Sequence, residues 1–335
     1  MNKRKKSATV HDVARKANVS PSTVSRVFDP KWDGKVKRDT VERVLSAANQ
    51  LAYSPNAIAR SLHINRTNIV AVIMGVQVGY FFEEFFFELV SVLQASGRQV
   101  LVFTFSPEKD IDEVMERVRQ YRVDVVLVLA SATQNTIHRL VSTSIPVILI
   151  ERLAPDSNLS CICSDNYAGA RMAAEYLMSM GHRRFGYLSG DASLSSAILR
   201  SAGFVDCVQA LGGTVAVRVD GDFSYQSAWA ALDAFLADGR IDAIFCADDT
   251  MAMGIMDAAR QRGVAVPDEL SVMGFDNHSI TALASYQITT VSHNRPMLFS
   301  AVLDTLNIVI ASPDRQICKI LPMSVVERSS VKRLT

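Results

Sequence analysis

Residues 9–28 read TVHDVARKANVSPSTVSRVF. Val10, Val13, Ala14 and Ala17 recur at helical spacing, and the hydroxyl of Thr9 stands three residues before Asp12, the pattern of a capping box whose usual partner is Glu or Gln. Asn18-Val19 supplies a turn. Ser20-Pro21 opens a second helix, because Ser accepts from free amides and Pro at the first helical position sacrifices no hydrogen bond. Val24 and Val27 face inward, which leaves Pro21, Ser22, Ser25 and Arg26 on the outward face. A third amphipathic helix follows over 38–51, with Val41, Val44, Leu45, Ala48 and Leu51 on one face. Two short helices across a tight turn, braced by a third, are a module that lays its second helix in the major groove of DNA.

Charge agrees with that reading. The chain carries a formal net charge of only +1. Residues 1–66, however, hold 14 Lys and Arg against 5 Asp and Glu, a net +9, and the remaining residues hold 21 against 29, a net −8. A basic head on an acidic body is the electrostatic footprint of a nucleic-acid module carried by a domain that does not itself adhere to phosphate. The opening MNKRKKSATVHD is basic but lacks the apolar core of a secretory signal, and no run approaches the ~20 apolar residues of a membrane span. A cytoplasmic protein without membrane association is expected. The five cysteines (Cys161, Cys163, Cys207, Cys246, Cys318) show no C-x-x-C spacing and read as buried free thiols in a reducing compartment.

Beyond the polar stretch 63–68 the pattern changes. Apolar runs at 69–74, 99–103, 123–130, 145–150, 184–190, 214–219, 241–246 and 270–276 alternate with helical patterns. Near-continuous apolar strands between amphipathic helices indicate parallel sheets covered on both faces. So many units exceed one comfortable sheet, so two doubly wound lobes are expected. Their ligand would bind outside the carboxyl ends of the strands, in the cleft between the lobes.

With TVHDVARKANVSPSTVSRVF, the chain carries YSPNAIARSL (53–62), SDNYAGARMAAEYLMSMGHRRFGYLSG (164–190), RSAGF (200–204), CADDTMAMG (246–254) and LSVMGFDN (270–277). Together, over about residues 8–328, these resemble the lactose/galactose repressor (LacI/GalR) family. The resemblance implies an α/β architecture with an N-terminal three-helix helix-turn-helix domain (1–53) and a hinge helix with linker (54–68). A two-lobed core resembling periplasmic sugar-binding proteins follows over 69–328, with an N-lobe of about 69–163 and 292–320, a C-lobe of about 164–289 and 321–328, and a tail at 329–335. It implies a homodimer that binds pseudo-palindromic operator DNA as a repressor, controlled by a small sugar-like effector and needing no cofactor or metal.

Residue by residue, the resemblance places Pro21, Ser22 and Arg26 at base edges and Ser20, Thr23 and Ser25 near phosphates, with Thr9, Asn56 and Ala59 also among the DNA-facing residues. Arg26 can pair bidentately with guanine, worth roughly 1–3 kcal/mol of discrimination. Leu62 matches the family leucine that wedges into the minor groove. An exposed Leu ending an Ala-rich helix has little local core to join, and apolar wedges kink duplexes by partial unstacking. A helix this short is marginal in water and would fold on DNA. In the cleft, Arg200 and Asp276 match ligand-holding positions, where a structural ion pair is the competing reading. Asp248 stands where many relatives carry Asn. Asp165 is either a ligand group or only a helix cap. Phe85 and Phe86 fall where relatives stack an aromatic on the ligand, although the run from Tyr80 to Phe87 must also supply core.

Three departures stand out. The loop before the third helix is lengthened and carries Trp32, Lys37 replaces the usual capping Ser or Thr, and Asp248 adds charge to the cleft. A transport solute-binding protein is the alternative, but the basic head and the lack of a signal sequence oppose it. No G-x-G-x-x-G, P-loop, G-x-S-x-G or metal-spaced His set supports an enzyme.

Overall fold

The computed structural model describes residues 8–29, 32–54, 66–75, 80–105, 111–129, 134–141, 143–154 and 157–334. The chain divides into two units, one through Thr67 and one from Asn68.

The first unit contains α1 (Val10–Ala17), α2 (Pro21–Val27) and α3 (Arg38–Gln50). The capping box of α1 is complete: Thr9 N–H donates to Asp12 Oδ2 at 2.9 Å and Asp12 N–H to Thr9 Oγ1 at 3.3 Å. Asn18 ends α1 in the left-handed conformation, φ +52°, which Asn tolerates better than most residues. Ser20 caps α2 by accepting from Thr23 N–H at 3.1 Å. Val13, Ala14, Ala17, Val24, Val44, Ala47 and Ala48 are buried together. Leu45 does not join them; it is 43% exposed. The inward face of α3 is centred on Val44, Ala47 and Ala48, and one residue of helix turns Leu45 about 100° away from it. Lys37 gives α3 no side-chain cap.

The second unit alternates strands and helices: β1 (Ile69–Gly75), α4 (Tyr80–Ala95), β2 (Gln99–Phe105), α5 (Ile111–Gln120), β3 (Val125–Leu129), α6 (Gln134–Val141), β4 (Val147–Ile150) and β5 (Ser160–Ser164). There follow α7 (Asn166–Ser179), β6 (Arg184–Ser189), α8 (Ser195–Ala210), β7 (Thr214–Asp220), α9 (Tyr225–Leu236), β8 (Ala243–Cys246), α10 (Asp249–Gln261) and β9 (Ser271–Asp276). A 3₁₀ turn (Ser279–Ala282), β10 (Thr289–His293), α11 (Arg295–Ala311), β11 (Cys318–Leu321) and β12 (Met323–Val326) complete it.

Two six-stranded sheets result, ordered β11-β5-β4-β3-β1-β2 and β12-β10-β9-β8-β6-β7. Every pairing is parallel except β10 with β12. Strands β3, β4, β8 and β9 are buried at every position, as expected of strands covered by helices on both faces.

The chain crosses between lobes three times, always from the carboxyl end of a first-lobe or second-lobe strand: at Asp165 after β5, at Asn294 after β10, and at Pro322 after β11. The lobes therefore meet at their strands' carboxyl ends. Two sequence boundaries shift. β10 belongs wholly to the second sheet, so that lobe extends to His293. The stretch expected to be a tail is packed against the second lobe: Val331 is buried in its core, Val272 N–H donates to Ser330 O at 2.9 Å and Leu334 N–H to Met180 O at 2.7 Å. Four cysteines are buried, but Cys318 on the edge strand β11 is exposed, with its sulfur 2.8 Å from that of Cys161 on neighbouring β5. Among the described residues no helix is long and apolar enough to cross a membrane.

Candidate functional site

Several strained backbone positions lie where the lobes meet, with others at Asn68, Arg122 and Gln287 before strands. Non-glycine residues with left-handed φ include Glu151 (+55°) after β4, Phe223 (+64°) after β7, and Asp276 (+108°) and Asn277 (+56°) at the end of β9. Each such residue costs on the order of 1–3 kcal/mol and persists only where its surroundings over-determine it.

The surroundings of Asp276 do so. Its Oδ1 accepts from Arg200 Nη2 at 2.9 Å and from His293 Nε2 at 2.9 Å. Burial by itself would push this carboxyl up; the Arg200 guanidinium and the His293 bond outweigh burial and hold it at about 2. Because ionised Asp276 only accepts, His293 Nε2 carries its hydrogen. His293 Nδ1 then meets Ser164 Oγ at 2.7 Å. That hydroxyl donates to Glu151 Oε1 at 2.9 Å, while Ser164 N–H donates to both Glu151 oxygens at 3.1–3.2 Å. A buried polar chain thus runs from Arg200 in the second lobe through two crossover strands to Glu151 in the first. His293, Ser164 and Glu151 were not anticipated from the sequence; nothing in SDN or TVSHN shows that residues 129 positions apart share a hydrogen bond.

Arg200 itself is fully engaged. Besides Asp276 it donates to Asn166 Oδ1 (2.7 Å) and Ala247 O (2.6 Å), and its plane lies 3.8 Å over the Phe275 ring. In this state the Arg200–Asp276 pair is the structural ion pair. A ligand would meet Asp276 already neutralised.

Asp248 and Asp165 are caps. Asp248 accepts from Met251 N–H at 2.8 Å at the start of α10, and Asp165 accepts from Ala168 N–H at 2.9 Å at the start of α7. Burial, then the charge of Asp276, push the Asp248 carboxyl up to about 7, against the opposing Met251 bond. Asp249 is also raised well above the usual carboxylate range, by burial and then by Asp276, although it accepts from Thr290 Oγ1 (2.6 Å) and His278 N–H (2.8 Å). Gly274 on the adjoining strand makes room for it, since a Cβ there would collide with Asp249 Oδ1. Asp248, Asp276 and His278 bring ligand atoms within 4.8 Å of one another, but Asp276 already has two cationic or donor partners and the trio carries no metal assignment.

The aromatic expectation is corrected for Phe85, which is wholly buried and stacked on Phe299 of α11 at 5.2 Å. It is a core residue because the inward face of α4 carries Phe85, Leu89 and Leu93. Phe86 is half-buried, edge-on to exposed Phe87. The sequence reading passed over Phe223, a strained, half-buried aromatic whose ring lies so close to Gly190 that a Cβ there would overlap it. A signal existed: GDF directly after an apolar strand and before a Ser-capped helix. A further contact joins the lobes, with Glu84 of α4 accepting from Ser279 N–H (3.2 Å), its hydroxyl, and Arg295 Nη2 (2.9 Å).

On the first unit, Ser22, Ser25 and Arg26 are exposed on α2, and Pro21 and Thr23 are half-buried. Several hydroxyls bond locally: Ser20 with Ser22 and Thr23 at 2.8 Å, and Ser25 to Pro21 O at 3.2 Å. The Arg26 guanidinium lies 4.5 Å from the centroid of Trp32, which gives the lengthened loop a structural role. Thr9 is engaged in its capping box. Asn56, Ala59 and Leu62 lie outside the described residues.

Residues 9–56 match the family described as "Bacterial regulatory proteins, lacI family", and residues 174–331 match a "Periplasmic binding protein-like domain". The chain is 30% identical over 337 residues to the HTH-type transcriptional repressor PurR of Vibrio cholerae serotype O1 (strain M66-2), covering 98% of this chain and 99% of that protein. It is 29% identical over 338 residues to PurR of Histophilus somni (strain 129Pt), covering 98% and 100%. The fold is similar to that of the lac repressor dimer bound to operator and the anti-inducer ONPF, with TM-score 0.84 and 23% identity over 98% of this chain and all of that one. A CelR–cellobiose complex aligns with TM-score 0.72 and 24% identity over 96% and 99%. Full-length likeness to repressors, helix-turn-helix unit included, leaves the transport solute-binding alternative without support.

Proposed function

Since the chain belongs to the LacI family of bacterial regulatory proteins, we propose that it is a cytoplasmic repressor that binds a pseudo-palindromic operator as a homodimer and is controlled by a small sugar-like effector in the cleft. The family is one of transcriptional regulators, and no catalytic role is assigned to any residue. The observation that carries the reading is the pairing of an exposed α2 face, with Ser22, Ser25 and Arg26 outward, and a strained, polar junction between two lobes.

Arg26, with Pro21 and Ser22, meets base edges, and Ser20, Thr23 and Ser25 position α2 at phosphates, with Thr9, Asn56 and Ala59 supporting and Leu62 as the minor-groove wedge. Symmetric dimers read half-sites related by their own two-fold axis, and Lys and Arg contacts to phosphate make affinity fall steeply with salt. In the cleft, Asp248 and Asp276 accept from effector hydroxyls, Phe86 and Phe223 offer apolar faces, and Asp165 and Arg200 hold the frame. The chain Arg200–Asp276–His293–Ser164–Glu151 spans both lobes, so a ligand that changes their closure has a physical route to the crossover strands.

Selection of genomic fragments by the purified full-length protein, followed by anisotropy titration with and without sugars and sugar derivatives, tests this. Equal affinity for genomic sites and random duplex under every condition would sink it.

A further inference from the structure

Strands β5 and β11 run side by side at one edge of the first sheet, and their register sets Cys161 opposite Cys318 and Cys163 opposite Ile320. The two facing sulfurs of Cys161 and Cys318 are 2.8 Å apart. β11 is the outermost strand, so Cys318 and Ile320 are exposed while Cys161 and Cys163 are buried on the strand behind them. Hydrogen bonds pin the pairing on either side: Cys161 N–H donates to Ile317 O at 2.8 Å, and Asp165 N–H to Leu321 O at 2.8 Å.

Neighbouring strands lie about 4.8 Å apart, inside the roughly 4.4–6.8 Å that separates Cα atoms across a disulfide. Cys161 and Cys163 share one face of a single strand at about 6.6 Å, the far end of that range, and a straight strand keeps their backbones apart. Of these three thiols, the cross-strand pair is the one placed to join. Hydrogen bonds from Cys163 and then Cys318 bring the Cys161 thiol down to about 6 against the effect of burial, and the thiolate is the nucleophilic form. Cys163 is pushed the other way, by its bond to Cys161 and then by burial. Cys207 and Cys246 are also raised by burial and sit in the core of the second lobe.

We propose that Cys161 and Cys318 form a reversible redox site, a dithiol that hydrogen peroxide oxidises to a disulfide across the β5–β11 edge. One sulfur of the pair, as thiolate, attacks a peroxide oxygen; the S–O bond forms, the O–O bond breaks, and the leaving oxygen takes up a proton as water. The other sulfur then displaces hydroxide from the sulfenic sulfur. S–S forms, S–O breaks, and the hydroxide leaves as water with the second thiol's proton. Two thiols are oxidised and one peroxide is reduced to two waters. A small dithiol reverses the bond by exchange, entering from the exposed Cys318 side. Both strands lead directly into a crossover, β5 at Ser164 and β11 at Leu321. The disulfide therefore staples two of the three crossovers together and restrains movement of one lobe against the other.

The test uses the reduced full-length protein, treated with hydrogen peroxide up to about ten equivalents, then denatured in an alkylating reagent and digested for peptide mapping. The free cysteines should fall by two, from five to three, with the Cys161 peptide joined to the Cys318 peptide within one chain. Dithiothreitol should restore all five. Hydrogen exchange of the residue 318–326 amides should slow roughly tenfold on oxidation, because the staple suppresses local opening of the edge strand. Cys318→Ser, a change at an exposed position, should exchange there at the same rate with and without peroxide. Cys163→Ala should still form the link, since Cys163 takes no part in it. The proposal is overturned if five thiols survive the peroxide, if Cys161 joins Cys163 instead, or if Cys318 links two copies of the chain. Thiol loss that dithiothreitol does not reverse, or a link that leaves exchange at 318–326 unchanged, would overturn it as well. None of these readouts involves DNA, so the result stands apart from the regulator reading.

Discussion

Asp248→Asn should stabilise the protein, and by an amount that grows with pH. The Asp248 carboxyl is wholly buried and held at about 7 in the folded chain, against an ordinary value of 3.8, by burial and then by the charge of Asp276. The direction follows from linkage. An acid whose folded value is raised favours folding only below its unfolded value, and that advantage is lost progressively as pH rises through the folded one. At ~1.36 kcal/mol per unit, the raised value of Asp248 costs the folded state about 4 kcal/mol at pH 8 but a little under ~2 kcal/mol at pH 5, where the unfolded chain ionises and the folded one keeps its proton. Asparagine keeps the cap on α10, since its side-chain oxygen can still accept from Met251 N–H, and it adds no charge beside Asp276. Stability measured by urea unfolding, followed through Trp229 in α9 of the same lobe, should therefore fall by about 2–3 kcal/mol more in the unaltered protein than in the variant between pH 5 and pH 8. Distant titrating groups are common to both proteins and subtract, while Asp249, which is raised in part by the Asp248 charge, shifts the difference in the same direction. Parallel pH curves for the two would refute the reasoning, whatever the offset between them.

The Arg200–Asp276 pair should behave as a coupled unit. Asp276→Ala alone leaves a buried guanidinium uncompensated and should cost about 3–5 kcal/mol, while Arg200→Met with Asp276→Ala should cost less than the sum of the single changes by about 1–3 kcal/mol in unfolding titrations. Strict additivity would deny the coupling. Trp32→Ala removes the ring beneath Arg26 and, at about 0.5–1 kcal/mol for an exposed cation–π contact, should weaken specific operator binding roughly two- to fivefold in anisotropy titrations; an unchanged specific affinity counts against a positioning role. Leu62→Ala should reduce specific binding far more than non-specific binding, because it removes a wedge and not a charge, and equal losses in both would dismiss the wedge.

Short-range chemistry was legible in the residues themselves. The Thr9 box, the Ser20-Pro21 start of α2, the basic head and the near-continuous apolar strands all follow from spacings of a few residues, where helical and strand periods dictate which side chains share a face. The strands that the reading passed over are the ones without that pattern. SCICS and TTVSH are short and partly polar, and they are buried only because they become inner strands of a sheet completed by chain from far away. The same distance hid the junction. His293 meets Ser164, and Arg200 meets Asp276, across 129 and 76 residues, and such pairings depend on three crossovers whose positions no local signal marks. Phe85 and Phe86 are neighbours in one aromatic run, yet a helix rotates successive residues by about 100°, so packing against α11 buried the first and left the second partly open. Residue order thus determined which segments become helices and strands and where charge lies. Which polar groups meet and which are neutralised were decided only when the two sheets came together, because desolvation and pairing are properties of the folded surroundings and not of the residue.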